Sequence, residues 1–365
     1  MPKFTPNISC VSLGMVIIDE IHMPHREPLL EVIGGSATFV TLGQRLFARD
    51  SSEVGCLVIA GDDFPSSVKR IIEHWGTTTV FKPREGKPSS RGKLVYRDDT
   101  FSGKYPRSKA KYMGANDSKA KTFEYTQPPL RASPSDLVST PLLHAKAFHL
   151  FGTPTEILTQ VPNLMHLRER TGIRERPLIV WEPLPASCTR QHYEDFLAAC
   201  KLADIFSPNH LELAALFGRT LCEQFDRQES EQWGQMIVDA GVGSNGDGMV
   251  ITRAGEHGSL IMSRDSRPIW LPAYYGNGSP KVIDPTGAGN AFLGGYIAGW
   301  QHHGNVVEAV YHGHVAASFA LEQIGLPEVN MAGAEVVCNG IEVHNRLEEY
   351  KRNFCEVEIR SERVL

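Results

Sequence analysis

The chain has no run of about 18 apolar residues, so no segment of it reads as a membrane-spanning helix. Its first residues, Met1–Ser9, carry no apolar core of the signal-peptide kind. Basic charge is not in excess. Lys and Arg number 37 against 42 Asp and Glu, a net charge of −5. Such a chain has no field to hold a polyanion, which argues against general nucleic-acid binding. Cysteine is sparse and shows no pairing pattern. Cys10, Cys56, Cys188, Cys200, Cys222, Cys338 and Cys355 are scattered with no C-x-x-C, which argues against a structural zinc site or a disulfide framework. Repeats are missing too: 33 Gly and 23 Pro are spread without a period. What is present is an ordinary globular balance, 41% hydrophobic and 22% charged. The expectation is a soluble cytoplasmic protein with neither nucleic acid nor membrane as partner.

At 365 residues the chain is long enough for two or three domains at about 150 residues each, yet no linker cleanly splits it. Ile8–Ile18 is a nearly continuous apolar run around Gly14, which predicts a strand buried on both faces. Glu20–Glu31 is mixed in character and reads as a peripheral excursion. Gly34-Gly35 then opens a helical pattern reaching Leu46. Val54–Gly61 follows as a strand, Phe64–Trp75 as an amphipathic helix and Thr77–Phe81 as a strand. This alternation predicts a parallel sheet with crossover helices.

Residues 82–140 interrupt the rhythm. Leu94-Val95-Tyr96 is strand-like, but the surroundings are polar, as in a lid or edge layer. The basic stretch Arg107–Lys121 reads as a solvated face. Strands resume at Ala145–Gly152, Leu178–Trp181, Ile205-Phe206 and Met249–Thr252, and a hairpin joins Leu260–Ser263 to Ile269–Leu271. Helices are expected at Tyr193–Leu202, Leu211–Phe217, Ala291–His302 and Val306–Gln323. The charged tail from Arg346 has no assignment.

One segment concentrates chemistry: Asp284-Pro285-Thr286-Gly287-Ala288-Gly289-Asn290-Ala291-Phe292. An apolar strand end leads in and a helix leads out. Bare backbone at a helix N-terminus makes an anion site, because free N–H groups and the positive end of the helix dipole point outward. The bland alternative is a Gly-rich helix cap with no ligand.

That segment resembles the D-T-x-G-A-G-D signature of the ribokinase-like, or PfkB, family of carbohydrate and nucleoside kinases. Further matches follow in the family's order. Gly14-Met-Val-Ile-Ile-Asp19 is similar to the first-strand G-x-x-x-x-D, and Gly34-Gly35 to the di-glycine hinge. Ala60-Gly61-Asp62-Asp63 resembles the G-D-D turn, and Pro208-Asn209-His210-Leu211-Glu212 the P-N-x-x-E element. Thr252 to Gly258 resembles T-x-G-x-x-G with one residue more, and Ala316 to Gly325 the helix flanking the adenine. Trp181-Glu182-Pro183 and the di-glycine variant resemble a fungal subgroup of the family.

The resemblance covers residues 8–326 and implies a three-layer α/β/α domain with a central, mostly parallel sheet and a small β lid. That domain would span 1–330, with lid segments near 20–33 and 90–125, and an extension would occupy 331–365. It implies ATP and Mg2+ as cofactors, with K+ near Asp284, and a small-molecule substrate beside the nucleotide. A homodimer through the lid is also implied. By residue, Asp19, Gly34, Gly35 and Phe39 would face the substrate. Asn209, Thr252, Gly255, Gly258, Thr286 and Ala316 would face the nucleotide. Glu212 and Asp284 would serve metals, and Gly287, Ala288, Gly289 and Asn290 would form the catalytic turn.

Two positions depart from the family pattern. Asn290 stands where the family has the Asp that accepts the attacking hydroxyl's proton. An amide is no general base near neutral pH, and losing one costs about 10²–10⁴-fold. Phe39 stands where the family has an Asn for sugar hydroxyls, which favours a more apolar or aromatic substrate. Three explanations are open for Asn290: an engineered replacement, a slow or non-catalytic relative, or a fold turned to other chemistry. They correspond to a small-molecule kinase, a ligand-binding pseudokinase and a repurposed enzyme. Elsewhere, His312 and His314 lack a third ligand in spacing, so packing is their reading, and His302-His303 precede Gly304 at a helix end, where His sits favourably, and carry no assigned chemistry. Asp62-Asp63 reads as turn chemistry and Cys188 as an idle thiol. Glu182 ends a strand, where a parallel sheet opens its crevice, and both a site role and a bland one stay open for it.

Overall fold

The structure is a computed structural model that describes residues 7–96, 121–219, 225–332 and 335–362. In chain order its elements begin β1 (Cys10–Ser12), β2 (Ile17–His22), β3 (Leu29–Gly34), α1 (Ser36–Arg45), β4 (Gly55–Gly61), α2 (Ser66–His74), β5 (Thr78–Arg84), β6 (Arg91–Tyr96) and β7 (Lys121–Tyr125). The middle of the chain forms β8 (Ala147–Gly152), α3 (Pro154–Arg170), β9 (Leu178–Pro183), α4 (Tyr193–Cys200), β10 (Ile205–Phe206), α5 (His210–Leu216), α6 (Arg227–Ala240), β11 (Met249–Arg253), β12 (Ser259–Met262) and β13 (Ile269–Leu271). It ends in α7 (Ala288–His303), α8 (Val306–Leu321), β14 (Val329–Ala332), β15 (Glu335–Cys338), β16 (Ile341–Glu342) and α9 (Val343–Glu362).

The main sheet runs β1-β8-β9-β10-β11-β12-β13, parallel through β11 and antiparallel at its last two strands. A parallel pair, β4–β5, joins its β1 side through the Cys10–Val54 bridge. Consecutive residues of the central strands point to opposite faces. Phe148, Trp181, Phe206 and Val250 enter one core, while Ala147, Val180, Ile205 and Ile251 enter the other. Two helical layers cover these faces, so the strands read as continuous apolar runs. The three-layer α/β/α expectation therefore holds.

Helices α1, α7 and α8 approach nearly backbone to backbone. A Cβ on Gly294 would stand 2.1 Å from the Val40 carbonyl oxygen, and one on Gly295 2.5 Å from that of His312. This close packing seats the N-terminus of α7 against the carboxyl ends of β9 and β11, where Asn290 meets Glu182 and Gly289 meets Arg253.

The first apolar run is not one strand. It divides at Gly14, where a Cβ would meet Ser36 Oγ at 2.3 Å and Ala37 N at 2.9 Å. The chain turns there against the start of α1 and re-enters as β2 in a different sheet. That smaller sheet, β3-β2-β6-β7, pairs β2 with β6 in parallel and its other neighbours antiparallel. It is built from the segments expected to form the lid, and residues 97–120 of those segments lie outside the described residues. The unassigned tail from Arg346 lies in α9, which follows the short strands β15 and β16. Val343, Leu347 and Tyr350 are buried in the same core as α7 and α8. No helix among the described residues is long and apolar enough to cross a membrane.

Candidate active site

The site is organised by the start of α7. Gly287 caps that helix in the left-handed region, φ +78°, a conformation only glycine takes cheaply. The turn delivers the first-turn N–H groups of a 16-residue helix, which have no intrahelical acceptors, to one point. Phe39 does not wall a pocket here. Its ring is 3% exposed and lies under Gly287, where a Cβ would come within 2.3 Å of it.

Asp284, just before the turn, is 2% exposed. Its Oδ1 accepts from Thr286 N at 3.0 Å and Thr286 Oγ1 at 2.8 Å, and its Oδ2 accepts from Tyr96 Oη at 2.7 Å. Lys121 Nζ lies 3.7 Å from Oδ1 and donates to Thr286 Oγ1 at 2.7 Å. Burial holds the Lys121 ammonium below its usual range, and the charge of Asp284 offsets this only in part. Lys121 was expected on a solvated face and is instead inserted beside the turn. A potassium ion does not fit at Asp284. Both oxygens are engaged, and an ammonium already supplies the positive charge.

Behind the turn lies a buried ionic cluster. Glu182, at the end of β9 and 5% exposed, accepts from Asn290 Nδ2 at 2.5 Å and His149 Nε2 at 3.1 Å through Oε2. Its Oε1 lies 2.7 Å from Arg253 NH1. The ionised Glu182 carboxylate only accepts, so His149 presents Nε2–H to it; a neutral ring then leaves Nδ1 to accept from Ser12 Oγ, 2.8 Å away, whose oxygen also accepts from Gly14 N. Burial pushes the Glu182 carboxyl up. The charge of Arg253, with the His149 and Asn290 hydrogen bonds, outweighs this and holds it below the usual range.

Arg253 also donates to the Ser207 carbonyl at 2.9 Å, and its buried Nε has no hydrogen-bond partner among the described residues. A Cβ on Gly289 would sit 2.3 Å from Arg253 NH1, so the guanidinium lies directly against the glycine turn. Gly289 and Asn290 remain partly exposed.

Asn209 and Glu212 close on each other as a capping box at α5. Glu212 N donates to Asn209 Oδ1 at 2.8 Å, and Asn209 N and Nδ2 each donate to the carboxylate at 2.7 Å. Burial pushes Glu212 up to about 7 against the opposing charge of Arg253, 3.6 Å away. With its oxygens already held by Asn209, Glu212 fits a divalent cation only through intervening water. The anion cradle fits a phosphate directly: bare Gly287 and Gly289, a helix N-terminus and an adjacent guanidinium.

On the small sheet, Asp19 sits between Gly34 and Gly92, at each of which a Cβ would collide with its carboxylate. Its Oδ1 is buried without a partner among the described residues, and burial pushes the carboxyl up to about 7. Asp19 lines a half-open depression of about 240 Å³ with Leu30, Arg91, Gly92 and Thr126. Gly35, φ +95°, passes over Met15 O, where a Cβ would be 2.2 Å away. Burial and the charges of Asp284 and Asp19 all raise the Tyr96 phenol, so Tyr96 links the small sheet to the turn.

The expected nucleotide side is partly corrected. Thr252 is fully buried, and its Oγ1 has no partner among the described residues. Ala316 is 1% exposed inside the α7–α8 contact. Neither surface is open to a ligand, because both elements are packed on two sides. Gly255 (φ +58°) and Gly258 (φ +92°) shape the turn after β11, and the Asn209–Arg253 bridge ties that turn to α5.

Sequence reasoning missed Arg253, His149 and Lys121. A charged residue closing the apolar strand Met249–Arg253, and a His inside Ala147–Gly152, were the available signals. It also missed that folding supplies a third ligand beside His303 and His312. Glu308 stands with them, ligand atoms within 4.8 Å of one another, but its carboxylate already pairs with Lys351 at 2.8 Å. His314 is buried against Ser259. The Cys188 thiol is buried and raised, so it is no nucleophile.

The sequence model of the pfkB family carbohydrate kinases matches residues 108–330. An uncharacterized protein of Schizosaccharomyces pombe is 32% identical over 364 residues, 94% of this chain and 93% of its own. Protein MAK32 of Saccharomyces cerevisiae is 29% identical over 355 residues, 93% and 91% of the two chains. Among solved structures, a ribokinase from Giardia lamblia superposes with a TM-score of 0.67 over 96% of this chain and 99% of its own, at 16% identity. An Escherichia coli chain described as a ribokinase II, solved with ATP and Mg2+, superposes with a TM-score of 0.60 over 87% and 94%, at 14% identity. At such identities the likeness is one of fold, and the fold is ribokinase-like. With the family match over most of its length and the S. pombe relative over nearly all of it, the chain belongs to the PfkB family of carbohydrate kinases.

Proposed function

We propose that the chain transfers a phosphoryl group from ATP to a hydroxyl of a small organic acceptor. The observation that supports this most is the Arg253 guanidinium lying against Gly289 at the open N-terminus of α7. When bound, ATP with Mg2+ supplies the transferable group and part of its charge neutralisation. The chain's own groups do the rest. The Gly287 and Gly289 amides bind the phosphoryl oxygens, and the N–H groups of Arg253, a guanidinium paired with Glu182, lie beside them. Glu212 and Asn209 hold water at the edge of a divalent cation.

Asp19 orients the acceptor through its unpartnered oxygen. Phe123 shares the space over Gly92 with Asp19 and meets Tyr125 edge-on at 5.0 Å. Those exposed rings support an acceptor with an apolar or aromatic face. Asn290 has no basic group, so turnover is slow and alignment carries the rate.

The experiment is a Mg2+-dependent ADP-release assay across sugars, nucleosides and vitamin-like alcohols. ADP release that requires one acceptor class supports the reading, and its absence across the panel refutes it. A ligand-binding pseudokinase is the second reading, favoured by the amide at 290. Melting that rises with Mg2+ and ATP but no turnover distinguishes it. A cytoplasmic homodimer through the small sheet belongs to the same proposal. It is supported by Leu29 and Leu30 exposed on the edge strand β3, and light scattering tests the dimer.

A further inference from the structure

The residue at 290 is explained by its neighbour. We propose that Glu182 is a positioning residue: its buried carboxylate holds the Asn290 amide group so that Oδ1 faces the acceptor hydroxyl, and it carries the site's negative charge one side chain behind position 290. This rests on the kinase reading above and deepens it.

The geometry is directional. An ionised carboxylate only accepts hydrogen bonds, so the group 2.5 Å from Glu182 Oε2 must be the Asn290 NH2. The amide oxygen is then turned away from Glu182, in a residue that keeps partial exposure. An unpinned amide would present NH2 or oxygen interchangeably. Pinned in this way, Asn290 offers only an acceptor, the polarity a carboxylate would offer there.

Glu182 is itself held from several elements: His149 on β8, Arg253 on β11 and Asn290 on α7. Ser12 on β1 holds His149, and Glu212 on α5 lies across Arg253. Arg253 balances the charge of Glu182, so the carboxylate stays ionised where it is buried. A carboxylate at position 290 would face that of Glu182 at the same short distance. Two carboxylates so close cannot both ionise, and one must keep a proton. With Glu182 behind it, an amide at 290 avoids that shared proton.

The test compares the natural protein with Glu182→Gln, Asn290→Asp and the double variant. In the double variant the new amide at position 182 can donate to the new carboxylate at position 290. That restores the hydrogen bond in reverse, with a true base at 290. Glu182→Gln is expected to lower kcat about tenfold or more, with KM for ATP within about threefold. Asn290→Asp is also impaired at neutral pH, and the double variant recovers kcat to the natural level or above. Losses that multiply in the double variant overturn the inference.

A second readout needs no turnover. In Asn290→Asp the folded pair retains a proton that the unfolded chain gives up near pH 4, so the raised folded pKa costs stability as pH rises. Relative to the natural protein, Asn290→Asp should therefore lose stability from about pH 4 to about pH 8, and the double variant should not. If the kinase reading alone fails, no variant turns over but this pH pattern persists. If Asn290→Asp tracks the natural protein at every pH, the pairing of 182 with 290 is wrong.

Discussion

Arg253 is the group on which the buried cluster depends, and Arg253→Met tests that dependence. The side chains of Arg253 and Glu182 are 10% and 6% exposed, so water screens their 2.7 Å contact weakly. Removing one partner of a buried pair costs about 3–5 kcal/mol, because the remaining charge is left uncompensated. For a chain of this size that corresponds to a melting temperature lower by about 4–7 °C.

The pH dependence follows from the signs. Glu182 has a folded pKa below its unfolded value of about 4.3, so it stabilises above that pH, and the benefit is lost as pH falls through the folded pKa. Without Arg253, burial dominates and the folded pKa moves above the unfolded one. A penalty then grows as pH rises from about 4. Glu212 adds to it: burial already raises its carboxyl to about 7 with Arg253 beside it, and losing that charge pushes it higher still. Urea unfolding at pH 5 and pH 8 should show the larger loss at pH 8. Arg253→Met/Glu182→Gln should recover much of it, since the stranded charge is gone. A loss under about 1 kcal/mol at pH 8, or no recovery in the double variant, refutes the reasoning.

Gly289→Ala places a Cβ 2.3 Å from Arg253 NH1, so affinity for ATP with Mg2+ should fall about tenfold in calorimetry, while the unliganded melting temperature shifts by only about 2–3 °C. Because Lys121 already neutralises Asp284, replacing K+ with tetramethylammonium should leave acceptor-dependent ADP release unchanged; a strict K+ requirement would contradict this. Arg346→Ala should destabilise by about 2–3 kcal/mol at pH 7, since Arg346 is 3% exposed, pairs with Glu322 at 2.9 Å and lies over Phe319 at 3.7 Å. Hydrogen bonds and Arg346 hold the Glu322 carboxyl below its usual range, so that loss should shrink as pH falls below about 4.

Much of the fold was readable in the chain because it rests on local pattern. Runs such as Ala145–Gly152 and Leu178–Trp181 announce strands covered on both faces, and they lie within or overlap β8 and β9. The glycine turn was readable for the same reason, since a helix N-terminus with bare backbone is a local device. The boundary at Gly14 was not. Apolarity reports burial but not which sheet buries it, and two sheets share that run. The tail was opaque as well. Its charged residues hide Val343, Leu347 and Tyr350, whose helical spacing matters only once α8 is there to receive them.

The candidate site divides along the same line. The sequence alone offered the glycine turn at 284–290 as an anion site, and its resemblance to the family pointed to Asp19 and to the amide at 290, because each is a matter of residue type at a short spacing. Tertiary structure decided the partners. Glu182 and Asn290 are 108 residues apart, and Lys121 and Thr286 are 165 apart. Whether a charge is buried, and against which charge, depends on the packing of elements distant in sequence. That packing turned Phe39 into the floor beneath Gly287, put a lysine where a potassium ion was expected, and gave the amide at 290 a carboxylate behind it.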